Sequence, residues 1–419
     1  MPEFRFPARS AAIAAGLALY IAAPASANRF VQHQFQQIGA RHLATGGGHV
    51  AMVDGTSGAY WNPASISWYP YLEFVMEGVY HTGPTLETNA GANNLRFEDE
   101  GSFGMVGVTI PGQRGFHFSL IEVQRYNHDI RGTLFDTPED RASGGTITSY
   151  EDRVSVNSFG VIASYRSTYR TSVGIGIWFD RKKVFKSLDY AAGCDATGAP
   201  PTDQQIADGF LDAEASTNKG TAIRFSLGGF FRATPNLDLG ASVFTNSNMT
   251  STLRSDVWFT CAHSDVDREV TDETPLTVQA GALWRRGPTL RFVGDVSFTR
   301  WSIFDDTEKE LDYSDMAQIS LGTEWDRGAA WTFRGGLYSQ FDASNLGGSD
   351  EHAAILRDLE NSGNPIERNE LYLTVGVGYL WRGHLRIDAS LADSHLASPE
   401  DGQTTGRFAI RVFTEQSGS

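Results

Sequence analysis

Apolar residues recur at every second position over segment after segment of this 419-residue chain. Leu276, Val278, Ala280, Ala282 and Trp284 share one parity, while Thr277, Gln279, Gly281 and Arg285 share the other. Leu371, Leu373, Val375, Val377, Tyr379 and Trp381 fall on one side in the same way. A period of two is the geometry of a strand with unlike faces. About fourteen such segments follow one another, several ending on aromatic residues, as in a transmembrane barrel with interfacial girdles.

The connections carry a second signal. Tight turns at 111–115, 167–170, 234–236, 286–288, 326–328 and 382–384 alternate with longer polar stretches near 81–100, 127–150, 182–220, 249–273, 302–315 and 342–368. Short turns at one rim and long loops at the other are the asymmetry of a bacterial outer-membrane barrel, and an even strand count places both termini in the periplasm.

The parity opposite the apolar one is charged: Arg224, Asp238, Arg291, Asp295, Glu324, Arg334, Arg386, Asp388 and Arg411. A soluble sandwich or propeller also alternates, but it cannot bury so many charges at tolerable cost, and no blade-length repeat is present. The expectation is therefore an all-β fold: a transmembrane antiparallel β-barrel of about fourteen strands whose inward charges line a lumen. Arg224 with Asp238, Glu324 with Arg334, and Arg386 with Asp388 are expected to pair as a structural network rather than a relay.

Composition and charge narrow the function. A formal charge of -16 excludes nucleic acid as a partner, because phosphate binding needs clustered Lys and Arg. Residues 1–27 read as a secretory signal, with Arg5 and Arg9 ahead of an apolar run from Ala11 to Ala23 and a small-residue site at Ala25-Ser26-Ala27. No later segment offers the roughly 18 apolar residues that a spanning helix needs, so membrane residence has to come from strands. Residues 28–66 then read as an N-terminal plug, and 67–419 as the barrel with long extracellular loops.

Within the plug, Gly46, Gly47 and Gly48 allow the backbone conformations and close packing that a segment threaded inside a barrel requires. Asn62 can turn the backbone ahead of Pro63, whose fixed φ interrupts a helix. A phosphate-binding loop is excluded, since neither the Walker spacing nor the dinucleotide fingerprint is present.

Four motifs carry a resemblance: Ile38-Gly39-Ala40-Arg41, Thr45-Gly46-Gly47-Gly48, Val50-Ala51-Met52-Val53-Asp54 and Tyr60-Trp61-Asn62-Pro63-Ala64. Over residues 38–66 they resemble the plug opening of the FadL-type transporters of hydrophobic compounds, and the PorV-type proteins of the type IX secretion system look similar there. The resemblance implies a fourteen-stranded barrel in the outer membrane of a Gram-negative-type bacterium, with an N-terminal hatch in its lumen. It implies passive uptake of long-chain fatty acids or other hydrophobic molecules, gated by the hatch at Gly46, Gly47, Gly48, Asn62 and Pro63. The alternative is a PorV-like secretion or assembly partner without small-molecule cargo, and a third reading is a nonspecific porin-like barrel. A fatty-acid-like molecule and outer-membrane lipid are the expected partners, with a secretion-machinery protein in the alternative.

The resemblance also implies a kink in the third strand. Phe116, Phe118 and Leu120 share one parity, but Ile121 and Val123 carry the apolar pattern onward, so a one-residue slip is expected at Leu120 and Ile121. Phe230, Phe244, Leu283 and Tyr372, inward by parity, are the candidate ligand-lining residues. Short amphipathic helices are expected over 202–213 and 349–360. Cys194 and Cys261 fall in adjacent extracellular loops, where a disulfide is expected. The acidic cluster from Asp305 to Asp315 reads as a solvated loop rather than a metal site, and no cofactor is expected. His117 and Ser119 face inward, yet no nucleophile, base and orienter form a recognised set, so no catalytic role is assigned.

Overall fold

The alternating segments close on themselves because the first strand pairs with the last. β1 (Tyr71–Thr82) runs antiparallel to β14 (Thr404–Glu415), with Tyr71 opposite Glu415 and Thr82 opposite Thr404. A closed ladder leaves no unpaired edge in a medium that cannot hydrogen-bond the backbone. In this computed structural model the described residues are 37–47, 49–82, 85–87, 94–97, 100–135, 147–190, 212–259, 262–300, 312–313, 315–340, 344–345, 370–397 and 403–415.

Between β1 and β14 run β2 (Asn94–Phe97 with Glu100–Pro111), β3 (Phe116–Phe135), β4 (Ile147–Arg166), β5 (Thr171–Tyr190) and β6 (Asp212–Thr234). Next come β7 (Leu237–Phe244 with Ser247–Phe259), β8 (Ala262–Thr274 with Leu276–Arg286), β9 (Leu290–Arg300) and β10 (Met316–Arg327). The wall is completed by β11 (Trp331–Gln340), β12 (Glu370–Trp381) and β13 (Leu385–Asp393). Each pairs with its chain neighbour, giving fourteen wall strands among the described residues. The lipid face is the expected one: Phe74, Met76, Ile175, Leu227, Val296, Leu321, Val375 and Phe408 are exposed. The aromatics near the short turns, among them Trp284, Trp325, Trp331 and Trp381, form the girdle at that rim.

Three of the stretches expected as long loops are in large part wall. β3, β4, β5 and β6 extend to Phe135, Ile147, Tyr190 and Asp212, and β7 and β8 run to Phe259 and Ala262. Polar residues on both faces hide a strand once it rises beyond the bilayer, because the period-two contrast needs lipid on one side. For the same reason Asp212 and Ala213, expected at the end of a helix, belong to β6. The rest of that candidate, the candidate at 349–360, the signal segment, and Cys194 and Cys261 lie outside the described residues, as does most of the acidic cluster.

The N-terminal segment occupies the lumen as α1 (Ala40–Ala44), α2 (Gly55–Trp61) and a single 3-10 turn, Pro63–Trp68. Wall glycines make room for it. A Cβ on Gly174, Gly228, Gly240, Gly322 or Gly336 would fall within 3.0 Å of hatch backbone or of Asn62, so the hatch fits against bare wall backbone at several points around its perimeter. None of these positions was singled out from the alternation alone, which treats Gly as neutral.

Among the described residues the wall between β2 and β3 is interrupted. Their pairing runs from Pro111–His117 to Met105–Val123, and resumes at Phe97–Ile130. Gly104 is an extra residue on β2, where the register against β1 shifts between Glu77 and Gly78. Arg125 is an extra residue on β3, where the register against β4 shifts between Gln124 and Tyr126. The two bulges face one another across the break, and bulges bend strands and release pairing. This corrects the expected slip at Leu120 and Ile121: both pair in unbroken register, with Leu120 exposed and Ile121 buried. Ile121 and Val123 are inward and apolar because the hatch core covers them.

Candidate functional site

The site is the contact between hatch and wall. One side of it is charged. Arg41 of α1 donates from Nε and Nη2 to Glu324 of β10, at 2.7 and 2.8 Å, and from Nη1 to Asp54, at 2.7 Å. Asp54, just before α2, in turn receives both terminal nitrogens of Arg411 of β14, at 2.7 and 3.0 Å. Arg334 of β11 joins Glu324 to Asp388 of β13, at 2.8 Å each. Arg291 reaches Glu324 and Asp326, and Arg386 reaches Asp388. Charge-assisted bonds of this kind offset much of the desolvation of a buried network, although Arg334 Nη2, Arg411 Nε and Asp388 Oδ2 are buried without a hydrogen bond.

Burial opposes ionisation of Asp54, but Arg411 and Arg41 outweigh it and hold this carboxyl well below the usual carboxylate range. Burial dominates at His42 and pushes the imidazole below its ordinary value, against the pull of Asp54. Its Nδ1 accepts from the His49 backbone N–H, which fits a neutral ring. His49 places Nδ1 against Asp295 of β9 at 2.6 Å and Nε2 against the Thr45 carbonyl at 2.7 Å.

Wall carboxylates also collect hatch backbone N–H groups. Glu77 accepts from Gly39 and Ala40 at the start of α1, at 3.2 and 2.6 Å, and is paired with Arg407. Glu73 accepts from Thr56 in the first turn of α2 at 2.7 Å. Asp295 accepts from Val50 at 2.8 Å. Helix N-termini expose N–H groups that lack partners within the helix, and carboxylates at that end are electrostatically favoured.

The other side is apolar. Ile38, Tyr60, Trp61 and Ile66 of the hatch meet Met105, Ile121, Val123, Ile162, Trp178 and Phe244 of the wall. Tyr60 stands edge-on to Trp178 at 5.4 Å, and Arg224 lies over Phe244 at 4.8 Å. Asp180 holds Arg224 and the bulge residue Arg125 at 3.3 and 3.2 Å beside this core.

Asn62 joins the two sides. Its Nδ2 donates to the carbonyls of Val50 and Gly229, at 2.7 and 3.0 Å, while Oδ1 accepts from Ala64 at 3.0 Å. Pro63 starts the 3-10 turn directly after the end of α2. Gly46 and Gly47 have φ of +89° and +114°, conformations that favour glycine, and Gly46 lies against the β10 and β11 backbones. Gly48 lies outside the described residues.

Phe230, Phe244, Leu283 and Tyr372 all face inward and are buried, but at separate points around the hatch. Phe230 packs on Trp68, Leu283 joins Ala51 and Met52, and Tyr372 stacks on Tyr338 beneath Leu43. A small pocket between hatch and wall is polar instead, lined by Gln37, Trp61, Gln279, Asp295, Ser297, Gln318 and Ser320.

Of the expected ion pairs, Glu324 with Arg334 and Arg386 with Asp388 form. Asp238 pairs with Arg285 and Arg232, not Arg224, because the register sets Asp238 opposite Arg232 while Arg224 lies beyond the Ser226–Phe244 pair, where Asp180 of β5 binds it. Sequence reasoning placed Arg41 and Asp54 in the quoted motifs without giving them partners, which lie far along the chain, and it missed His42 and His49. Glu73 and Glu77 were missed as well, although a signal was there: they share the inward parity of β1 with Val75 and Val79.

No family model matches this chain, and no curated protein matches it in sequence. Solved structures do match in shape. A Pseudomonas aeruginosa FadL homologue superposes with a TM-score of 0.62 at 12% identity, over 91% of this chain and 99% of that one. The Ralstonia pickettii toluene transporter TbuX gives 0.62 at 15%, with the same shares covered. The P. putida toluene transporter TodX gives 0.62 at 13%, again over 91% and 99%. A closed fourteen-stranded wall around an N-terminal hatch is the class of protein defined here. The chain has the FadL-type outer-membrane transporter fold.

Proposed function

We propose that this protein is a passive transporter of hydrophobic small molecules across the outer membrane of a Gram-negative-type bacterium. Its hatch is the gate, and cargo leaves sideways through the wall. The observation that carries the reading is the break between β2 and β3, flanked by bulges at Gly104 and Arg125 and backed by the apolar contact of hatch and wall. An apolar solute gains nothing from a water-filled channel and gains transfer free energy from an exit facing lipid. The described proteins of like fold include toluene transporters, which supports a hydrophobic cargo without fixing its class.

A long-chain fatty acid is the cargo proposed first, with small aromatic hydrocarbons as the rival. Asn62 is proposed as a gating residue, since it ties the 3-10 turn to Val50 and to the β6 wall. The test is uptake of labelled oleate, and separately of labelled toluene, by transporter-deficient cells expressing wild type or Asn62→Ala with surface levels matched. Uptake that changes with Asn62 supports the reading. Equal, background-level uptake of both probes from well-expressed protein sinks it.

A further inference from the structure

The outer wall of β4, β5 and β6 changes character abruptly on the way to the long-loop rim. Two successive cross-strand rows are wholly apolar and exposed: Val161, Ile177 and Phe225, then Phe159, Phe179 and Ile223. The next row is Asn157, Arg181 and Thr221, and the one beyond it is Ser155, Lys183 and Lys219. Arg153, one row further, lies over the ring of Phe185 at 5.8 Å. Arg153, Arg181, Lys183 and Lys219 are all exposed and share the outward parity, because Ser158, Trp178, Asp180 and Arg224 take the inward one.

Lys183 and Lys219 are direct cross-strand partners on this face. Like charges in that relation repel, with Cβ atoms about 4.5–5.5 Å apart. On β3, Glu122 reaches Arg181 at 3.7 Å, and Asp129 stands directly opposite Arg153 in the register of the two strands, so the centre of the cluster is the Lys183–Lys219 pair. A chain of net charge -16 has thus concentrated four cations where its lipid-facing band ends. The height fits that level: from Tyr169 at the short-turn girdle to Lys183, a strand rising about 3.3 Å per residue and tilted about 45° climbs about 30 Å, the thickness of a hydrocarbon core.

We propose that Arg153, Arg181, Lys183 and Lys219 form a docking site for the phosphorylated headgroup of an outer-leaflet glycolipid. Its acyl chains lie on the apolar rows of Phe159, Phe179 and Ile223. A phosphate monoester carries nearly two negative charges at neutral pH and can bridge two ammonium groups that otherwise repel. Arg181, two residues before Lys183 on the same face of β5, and Arg153, diagonal to Lys183 on β4, supply planar donors suited to phosphate oxygens. Apolar rows immediately below favour a lipid over a soluble anion. The site rests on the outer-membrane orientation of the proposed function but not on any cargo.

The experiment is native mass spectrometry of the purified barrel titrated with bisphosphorylated lipid A, alongside monophosphorylated lipid A, phosphatidylglycerol and inorganic phosphate. The wild type is compared with Lys219→Gln and with the triple variant Arg181→Gln, Lys183→Gln, Lys219→Gln, each checked for the heat-modifiable migration of a folded barrel. The expected result is an occupancy order of bisphosphorylated, then monophosphorylated lipid A, then phosphatidylglycerol, with at least tenfold weaker binding of the first by the triple variant. Lys219→Gln should fall between. Equal binding by wild type and both variants overturns the site, and competition by millimolar inorganic phosphate as strong as by lipid A reduces it to a nonspecific anion patch. Uptake by the triple variant should match wild type; loss of uptake in every protein, with lipid binding intact, would count against the transport reading alone.

Discussion

The two halves of the lumen wall hold the same hatch by different physics. On the β9–β14 side, with β1, the contact is a set of directional, charge-assisted bonds: Arg41 to Glu324, Asp54 to Arg411, and Glu73, Glu77 and Asp295 to backbone N–H groups. On the β2–β7 side it is chiefly apolar contact, built on Tyr60, Trp61, Ile66, Ile121, Trp178 and Phe244. Directional bonds fix position and are lost within a short displacement, whereas dispersion and area burial fall off gradually and tolerate sliding. The break in the wall lies on the tolerant side. The hatch is therefore expected to move first next to β2 and β3, turning about its charged anchorage.

The largest effect should come from breaking the charged side. Arg411→Ala leaves Asp54 buried with Arg41 and the His42 ring and should cost the docked hatch about 3–5 kcal/mol. Open-channel steps in planar bilayers and faster proteolysis within residues 37–69 are the expected readouts. Wild-type conductance and wild-type cleavage would show that the anchorage lies elsewhere.

Acid should weaken the same side without mutation. The folded carboxyl of Asp54 titrates below its unfolded value, so its contribution is present above about pH 4 and is lost as pH falls through the folded value. His42 is held neutral by burial, and a released segment takes up its proton below about pH 6.5, which also favours release on acidification. Conductance should rise from pH 7 toward pH 4 as His42 takes up its proton, rise further below pH 4 as the Asp54 contribution is lost, and stay flat from pH 7 to 8. A rise on the alkaline side would overturn this assignment.

Gly322→Val tests fit rather than charge. The added side chain overlaps the Thr45 carbonyl, and overpacking of this kind costs about 1–3 kcal/mol. Partial opening is expected, weaker than for Arg411→Ala but insensitive to salt.

Asn62→Ala removes two donated bonds and leaves the Val50 carbonyl unpaired, at about 1–3 kcal/mol. It should change gating with strand content by circular dichroism unaltered. The smallest effect belongs to the apolar side. Ile121→Val should cost about 0.5–1.5 kcal/mol and leave the pH response unchanged, and a shifted pH profile would mean that the two sides are not independent.

The displaced bulge shows where pattern reading reaches its limit. The apolar run through Ile121 and Val123 looked like a phase slip because inward positions were assumed polar. Those residues are inward and apolar for a different reason, namely that the hatch core lies on them. The real irregularities, at Gly104 and Arg125, leave little trace in the alternation: one is a glycine, and the other is a cation whose partner Asp180 lies two strands away.

By itself the sequence determined the barrel, its approximate strand number, the lipid and lumen faces, the short-turn rim and the place of the hatch. These follow from local period, turn chemistry and the cost of burying charge, all readable within a few residues. Only the tertiary structure decided which charges meet, where the wall opens and which glycines admit the hatch. Those contacts join residues up to 357 positions apart, as Asp54 and Arg411 are, and no local pattern encodes a distance between strands that closure alone brings together.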